Sequence, residues 1–145
     1  MGFSLDIAAF AKKAGVNANQ VVRKVVMDIG TSVVEKTPVG DATYWQSPPP
    51  KGYVGGHARA NWSHSMGILD QKEFADIDKS GGASVSRIAQ SLSSTPAGQV
   101  HFIQNSLPYI QRLEDGWSRQ APYGMVSTTV VEFQNFVNQA VGGLK

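Results

Sequence analysis

The sequence contains no cysteine. That absence excludes disulfides, thiol nucleophiles and cysteine-based metal sites together, and it fits assembly in a reducing cytosol. Charge is also sparse: thirteen Lys and Arg stand against eleven Asp and Glu, a formal net charge of +2, with no basic run. The pI near 9.0 follows from that small excess, whereas long-range attraction to nucleic acid needs a clustered basic face. Long hydrophobic runs are missing as well. No segment approaches the roughly 20 apolar residues needed to span a bilayer, so a soluble protein with no membrane partner is expected. Two targeting readings fail at the N-terminus. Asp6 interrupts the apolar stretch and the lysines follow it, the reverse of a secretory signal; Gly2 suits myristoylation, but Asp6 stands where that motif needs Ser or Thr.

What is present suffices for a packed core. Hydrophobic residues make up 41% of 145 residues, and a domain of this size buries roughly 70% of its unfolded surface; one domain, residues 1–145, is expected. Leu5, Ala8, Ala9 and Lys12 recur at helical spacing. A second helix should start at Asn17 as N-cap, with Gln20 reaching back, carry Val22, Val26, Ile29 and Val33 on one face, and end near Thr37 because Pro38 disfavours helical backbone before it. Residues 40–56 are rich in Gly, Pro and aromatics, and the prolines Pro48, Pro49 and Pro50 favour a stiff polyproline stretch. Trp62, His64 and Met66 alternate with Asn61, Ser63 and Ser65 as in a half-buried strand. A polar loop from Gly67 to Gly82, a short helix carrying Val85, Ile88, Ala89 and Leu92, and a strand from Gln99 to Gln104 with Val100 and Phe102 on one face follow. Val126, Val130, Phe133, Val137 and Val141 predict a C-terminal helix ended by Gly142 and Gly143. The fold class is α+β, helices packed on a small antiparallel β-sheet.

A search for chemistry finds little. His57, His64 and His101 lack the spacing of a helical zinc pair, and no HExxH motif is present. His64 and His101 read as ordinary hydrogen-bonded or exposed strand histidines. A Ser-His-Asp triad has no GxSxG elbow to support it, and neither GxGxxG nor a P-loop occurs. Adjacent Glu114 and Asp115 point about 100° apart on a helix. Asp76 and Asp78 lack EF-hand spacing and read as a solvated loop. The expectation is a non-enzyme with no cofactor and no metal.

Two stretches resemble a family. Thr37-Pro38-Val39-Gly40-Asp41 with His57-Ala58-Arg59-Ala60-Asn61-Trp62 resembles the "aPVDTGxLRxSW" signature of a tail-component family of tailed bacteriophages. Here the signature is split by an insertion, residues 42–54. Asn105-Ser106-Leu107-Pro108-Tyr109 through Leu113-Glu114-Asp115-Gly116-Trp117-Ser118 resembles that family's "NxxPYAxxLExGxS", and Gln120-Ala121-Pro122-Tyr123-Gly124-Met125-Val126 continues it as "QAPxGMV". With the flanking helices the resemblance covers about Gln20 to Val141. As scaffold, Pro38 would close a helix, Gly116 and Gly124 would permit special backbone angles, and Tyr109 and Leu113 would pack one helical turn apart. Glu114 would pair with a cation, for which Arg59 is a guess, or accept backbone N–H bonds.

The resemblance implies a ring-forming subunit, commonly sixfold, in the virion neck. Such tail-completion proteins are assembled in the host cytoplasm and join the head connector to the tail-terminator or tail-tube proteins, with DNA passing through the channel without specific binding. A tail-terminator or other minor tail protein is the nearest alternative. A nucleic-acid-binding module, supported only by the pI and the aromatics, and a hydrolase are the alternatives from other classes. Tyr44, Trp45 and Tyr53 in the proline-stiffened insertion are candidates to anchor a neighbouring subunit; the other reading has them fold back onto their own domain. If they only reach outward, replacing residues 43–53 with a Gly/Ser linker should leave the melting temperature nearly unchanged.

Overall fold

A helix entered through asparagine and left before proline opens the described chain. The computed structural model describes residues 17–40, 42–46, 48–51, 53–94 and 100–144; the helix expected around Leu5 to Lys12 and the motif residue Asp41 lie outside them. Helix α1 spans Ala18–Lys36. The Asn17 side-chain oxygen accepts from the N–H groups of Asn19 (2.9 Å) and Gln20 (3.3 Å), two donors that a helix start leaves unpaired. At the other end Thr37 donates its hydroxyl to Val33 O at 2.6 Å, and Pro38 follows. The expected apolar line is only partly correct. Val33 is buried, but the other buried positions are Val21, Val25, Gly30 and Val34. Valines come in adjacent pairs here, so the sequence admits two stripes, and packing partners decide between them. Val21 and Val25 meet Val137, Ala140 and Val141 of the C-terminal helix, while Val33 and Val34 belong to the central cluster with Trp62, Ile88 and Leu113.

The sheet has two antiparallel strands, β1 (Trp62–Met66) and β2 (His101–Asn105), in the register Trp62↔Asn105 to Met66↔His101. A short helix α2 (His57–Ala60), unanticipated from sequence, delivers the chain to β1. Helix α3 (Gly82–Ser93) covers the outer edge of β1: Arg87 donates to Trp62 O at 2.7 Å and Ser91 to His64 O at 3.2 Å. The expected alternation along β1 fails at Ser63, which is buried beside His64. Its face is covered too, because Gln104 of β2 donates to Ser63 Oγ (3.3 Å) and accepts from Asp70 N (2.9 Å), drawing the 67–78 loop over the strand. β2 starts at His101, later than expected; Val100 is largely exposed, and Gln99 lies outside the described residues.

After β2 come α4 (Ile110–Glu114), α5 (Val126–Val131) and α6 (Phe133–Leu144). The single C-terminal helix predicted from the valine spacing is two helices broken at Glu132. Thr128 and Thr129 donate their hydroxyls back to Met125 O at 3.1 and 2.8 Å, bonds that bend helices, and Glu132 is held by Lys36 of α1. Nor do the glycines stop α6, which runs through Gly142 and Gly143.

The insertion leaves and re-enters the fold at one point, since a Cβ placed on Gly55 would lie 2.9 Å from Gly40 O. Within it a 3₁₀ turn (Ala42–Tyr44) leads to Trp45, which bridges Ser118 and is only 5% exposed. Trp45, Tyr53 and Tyr109 pack edge-on in a triad with ring centroids 5.1–6.1 Å apart. The outward-anchor expectation is therefore corrected for Trp45 and Tyr53, which their own domain takes up; Tyr44 remains exposed. The linker replacement of residues 43–53 is accordingly expected to lower the melting temperature sharply. Trp45→Ala should cost about 3–5 kcal/mol and Tyr44→Ala less than about 0.5 kcal/mol, measured by urea unfolding followed by circular dichroism. Equal stability of the two variants would contradict this placement.

Candidate functional site: two motif segments that converge

The two halves of the split signature meet at the C-terminus of α1. A helix end leaves carbonyls unpaired, and Arg59 is aimed at them. Its guanidinium donates to Glu35 O (3.0 Å) and Thr37 O (2.9 Å), and also to Lys79 O at 2.6 Å. Trp62 Nε1 donates to Thr37 Oγ1 at 2.7 Å, and Pro38 beside it is buried. Burial lowers the Arg59 pKa from its ordinary value, and the charges of Asp78 and Glu35 only partly offset it. Asn61 is fully buried and clips a loop: it donates to His57 O (2.8 Å) and Phe74 O (3.0 Å) and accepts from Phe74 N (2.8 Å). Phe74 in turn lies under the Arg87 guanidinium, 3.9 Å from its ring centre.

The second motif closes on itself. Glu114 accepts from the backbone N–H groups of Met125 (2.8 Å), Val126 (2.9 Å) and Ser127 (2.9 Å) and from the Ser127 hydroxyl (2.8 Å). It caps α5, so the guess that Arg59 is its partner is corrected. Burial pushes the Glu114 carboxyl upward, but these bonds outweigh it and hold the pKa below the ordinary value. Gly116 and Gly124 have φ of 85° and 80°; a side chain at Gly116 would collide with Pro122 O, and one at Gly124 with Glu114. Leu113 and Met125 are fully buried, and Tyr109 packs against their cluster. Asn105 donates to Ala58 O at 2.9 Å, tying this motif to α2. Pro108, Gln120 and Pro122 are exposed, as are the loop positions Pro48 and, in part, Pro49 and Pro50.

Three features were not legible in the sequence. Asp78 caps α3 rather than lying solvated: burial raises its pKa, but the Ser84 N–H (2.8 Å), Ser84 hydroxyl (2.9 Å) and Gly81 N–H (3.0 Å) lower it on balance. His64 Nε2 and His101 Nδ1 are 2.8 Å apart, and His64 Nδ1 is 2.8 Å from Ser91 Oγ. Burial, then the like charge of His101, lowers the His64 pKa. In the aromatic triad, burial and then Tyr53 push the Tyr109 hydroxyl up to about 12. Among the described residues no three or more His, Cys, Asp or Glu lie together as a metal site, and no helix is long and apolar enough to cross a membrane.

The motif residues are thus drawn into two connected nodes of caps and clips rather than into a cleft of reacting groups. Comparisons of the chain with known protein families, with curated proteins and with solved structures returned no match.

The contributions of these groups begin to be lost at different pH values on acidification. His64 has a depressed folded pKa, so its contribution is present above the ordinary value of 6.5 and lost as pH falls from there through the folded value. Glu114 and Asp78, also depressed, contribute above 4.5 and 3.8 and lose that contribution only below those values. Stability should therefore fall in two stages on acidification, and His64→Gln should flatten the first stage alone. Glu114→Ala should cost about 1–2 kcal/mol at neutral pH, as lost helix caps do. A single acid transition, unchanged by His64→Gln, would refute the assignment of the upper stage.

Proposed function

We propose that the chain is a structural virion protein of a tailed bacteriophage, a neck or tail-completion subunit that assembles into a ring joining the head connector to the tail. Six copies around an open channel, through which DNA passes without specific binding, is the arrangement the motif resemblance implies. One observation carries the reading. Thr37 and Arg59, 22 positions apart across the insertion, are bonded directly, an arrangement that supports reading the two segments as one signature interrupted by a loop. The second motif supports it in the same way, with Glu114 bonded to Met125 N, Gly116 packed against Pro122 and Gly124 against Glu114. A tail-terminator or minor tail protein would use the same residues and is the nearest alternative.

Ring subunits of this kind can close only at high concentration or on their neighbours, so a monomer in dilute solution is compatible with the proposal. Native mass spectrometry of concentrated protein is expected to give a cyclic oligomer of six subunits; a strictly monomeric copy within an intact virion contradicts it. Duplex DNA should bind weakly with a shallow salt dependence. Binding through six to ten phosphate contacts would instead lose about 10³–10⁵ in affinity between 50 and 200 mM salt. Nanomolar affinity at physiological salt would favour a nucleic-acid-binding module.

A further inference from the structure

Two exposed faces differ in chemistry. The first is built by the bridge between Trp45 and Ser118, held by Gln46 N donating to Trp117 O and Arg119 N donating to Tyr44 O, both at 2.7 Å. Residues paired across an antiparallel bridge share a face, and their chain neighbours point the other way. Trp45 and Ser118 point inward and are buried, so Tyr44 and Trp117 point outward, 44% and 39% exposed. The Arg112 guanidinium lies 5.1 Å from the centre of the Trp117 ring, and Arg119 beside it is exposed. Tyr, Trp and Arg are the residues that dominate interface energetics.

The second face is the loop after β1. Ile68 and Leu69 are 81% and 48% exposed and Ile77 is also exposed, while residues 68–77 carry Asp70 and Glu73, with Asp76 paired to Arg87 at 3.8 Å, against Lys72. That lysine is turned over the loop's own Phe74, 5.0 Å from its ring centre. Asn61 and Gln104 hold this loop in place through its backbone, so little ordering remains to be done when it docks. One face is aromatic and cationic, the other apolar and acidic.

We propose that these faces bind each other between copies of this chain, the 68–77 loop of one subunit docking on Tyr44, Trp117, Arg112 and Arg119 of the next. Charge complementarity identifies the partner as a second copy. The two patches differ, so the contact is heterologous and repeats head to tail, which closes into a ring when the rotation permits. This inference rests on the ring reading and says which surfaces build the ring.

The test is a charge exchange in the full chain, with folding checked by circular dichroism. Arg112→Glu with Arg119→Glu places acid against acid, and Asp70→Lys with Glu73→Lys places base against base. Each double variant alone should assemble on the order of 100-fold more weakly than the parent, since like charges facing each other cost several kcal/mol. An equimolar mixture of the two should recover assembly, because each altered face meets its complement on the other variant. If the parent forms rings and both variants do so equally well, or the mixture recovers nothing, the docking faces are wrong while the ring stands. A parent that stays monomeric at millimolar concentration overturns this inference, since the two faces then do not bind each other, whereas the ring reading falls with a monomeric copy in the intact virion. If a single-stranded DNA oligonucleotide binds the parent and Arg112→Glu with Arg119→Glu abolishes that binding but leaves assembly intact, the face is a nucleic-acid platform and the proposal fails.

Discussion

The arrangement depends on how α1 ends. The end of α1 leaves the carbonyl of buried Thr37 without a helical partner, and a buried carbonyl left unpaired costs about 1–3 kcal/mol. Arg59 meets this demand with one planar group that reaches Glu35 O, Thr37 O and Lys79 O together. A lysine has the charge but not the fork, and would not span three acceptors in different directions. Through this contact α1, α2 and the start of α3 share a junction, and Trp62 enters β1 with its indole already fixed on Thr37. The insertion is tolerated because it departs and returns beside the junction, so its length adds only a modest closure cost.

The same logic recurs at helix starts, with carboxylates in place of the guanidinium. Glu114 gathers three backbone N–H groups at α5, and Asp78 gathers two at α3. Both carboxylates are held by charge-assisted hydrogen bonds to backbone N–H groups, with Asp78 also facing the charges of Arg59 and Arg87.

Much of the fold was legible because it is written locally. The Asn17 cap, the Pro38 stop, the polar 67–78 loop and the central valines and leucines announce themselves by residue type and period. What was not legible depends on distant partners. Whether Val21 or Val22 faces inward is decided by α6, more than a hundred residues later. Ser63 reads as a solvent-facing residue and is buried because Gln104 and a loop cover it. Trp45 and Tyr53, in a stretch of Gly and Pro, look like surface anchors until Tyr109 supplies the third ring. Backbone N–H bonds to Glu114 were one of its two expected roles and are what the structure shows, whereas the role of Arg59 was out of reach, since it serves a helix end more than twenty residues earlier. The structure brings the motif residues into contact, but what each of them bonds could be read only in three dimensions.

With the motif residues used for caps and clips, the proposed function rests on the outer faces of the subunit. That proposal is one of place, a subunit at the junction of head and tail. Gold labelling of virions assembled with an epitope-tagged copy of the chain, viewed by electron microscopy, tests it most directly. The account predicts label concentrated at the neck of intact particles; label absent from purified virions, or confined to structures away from that junction, would contradict it.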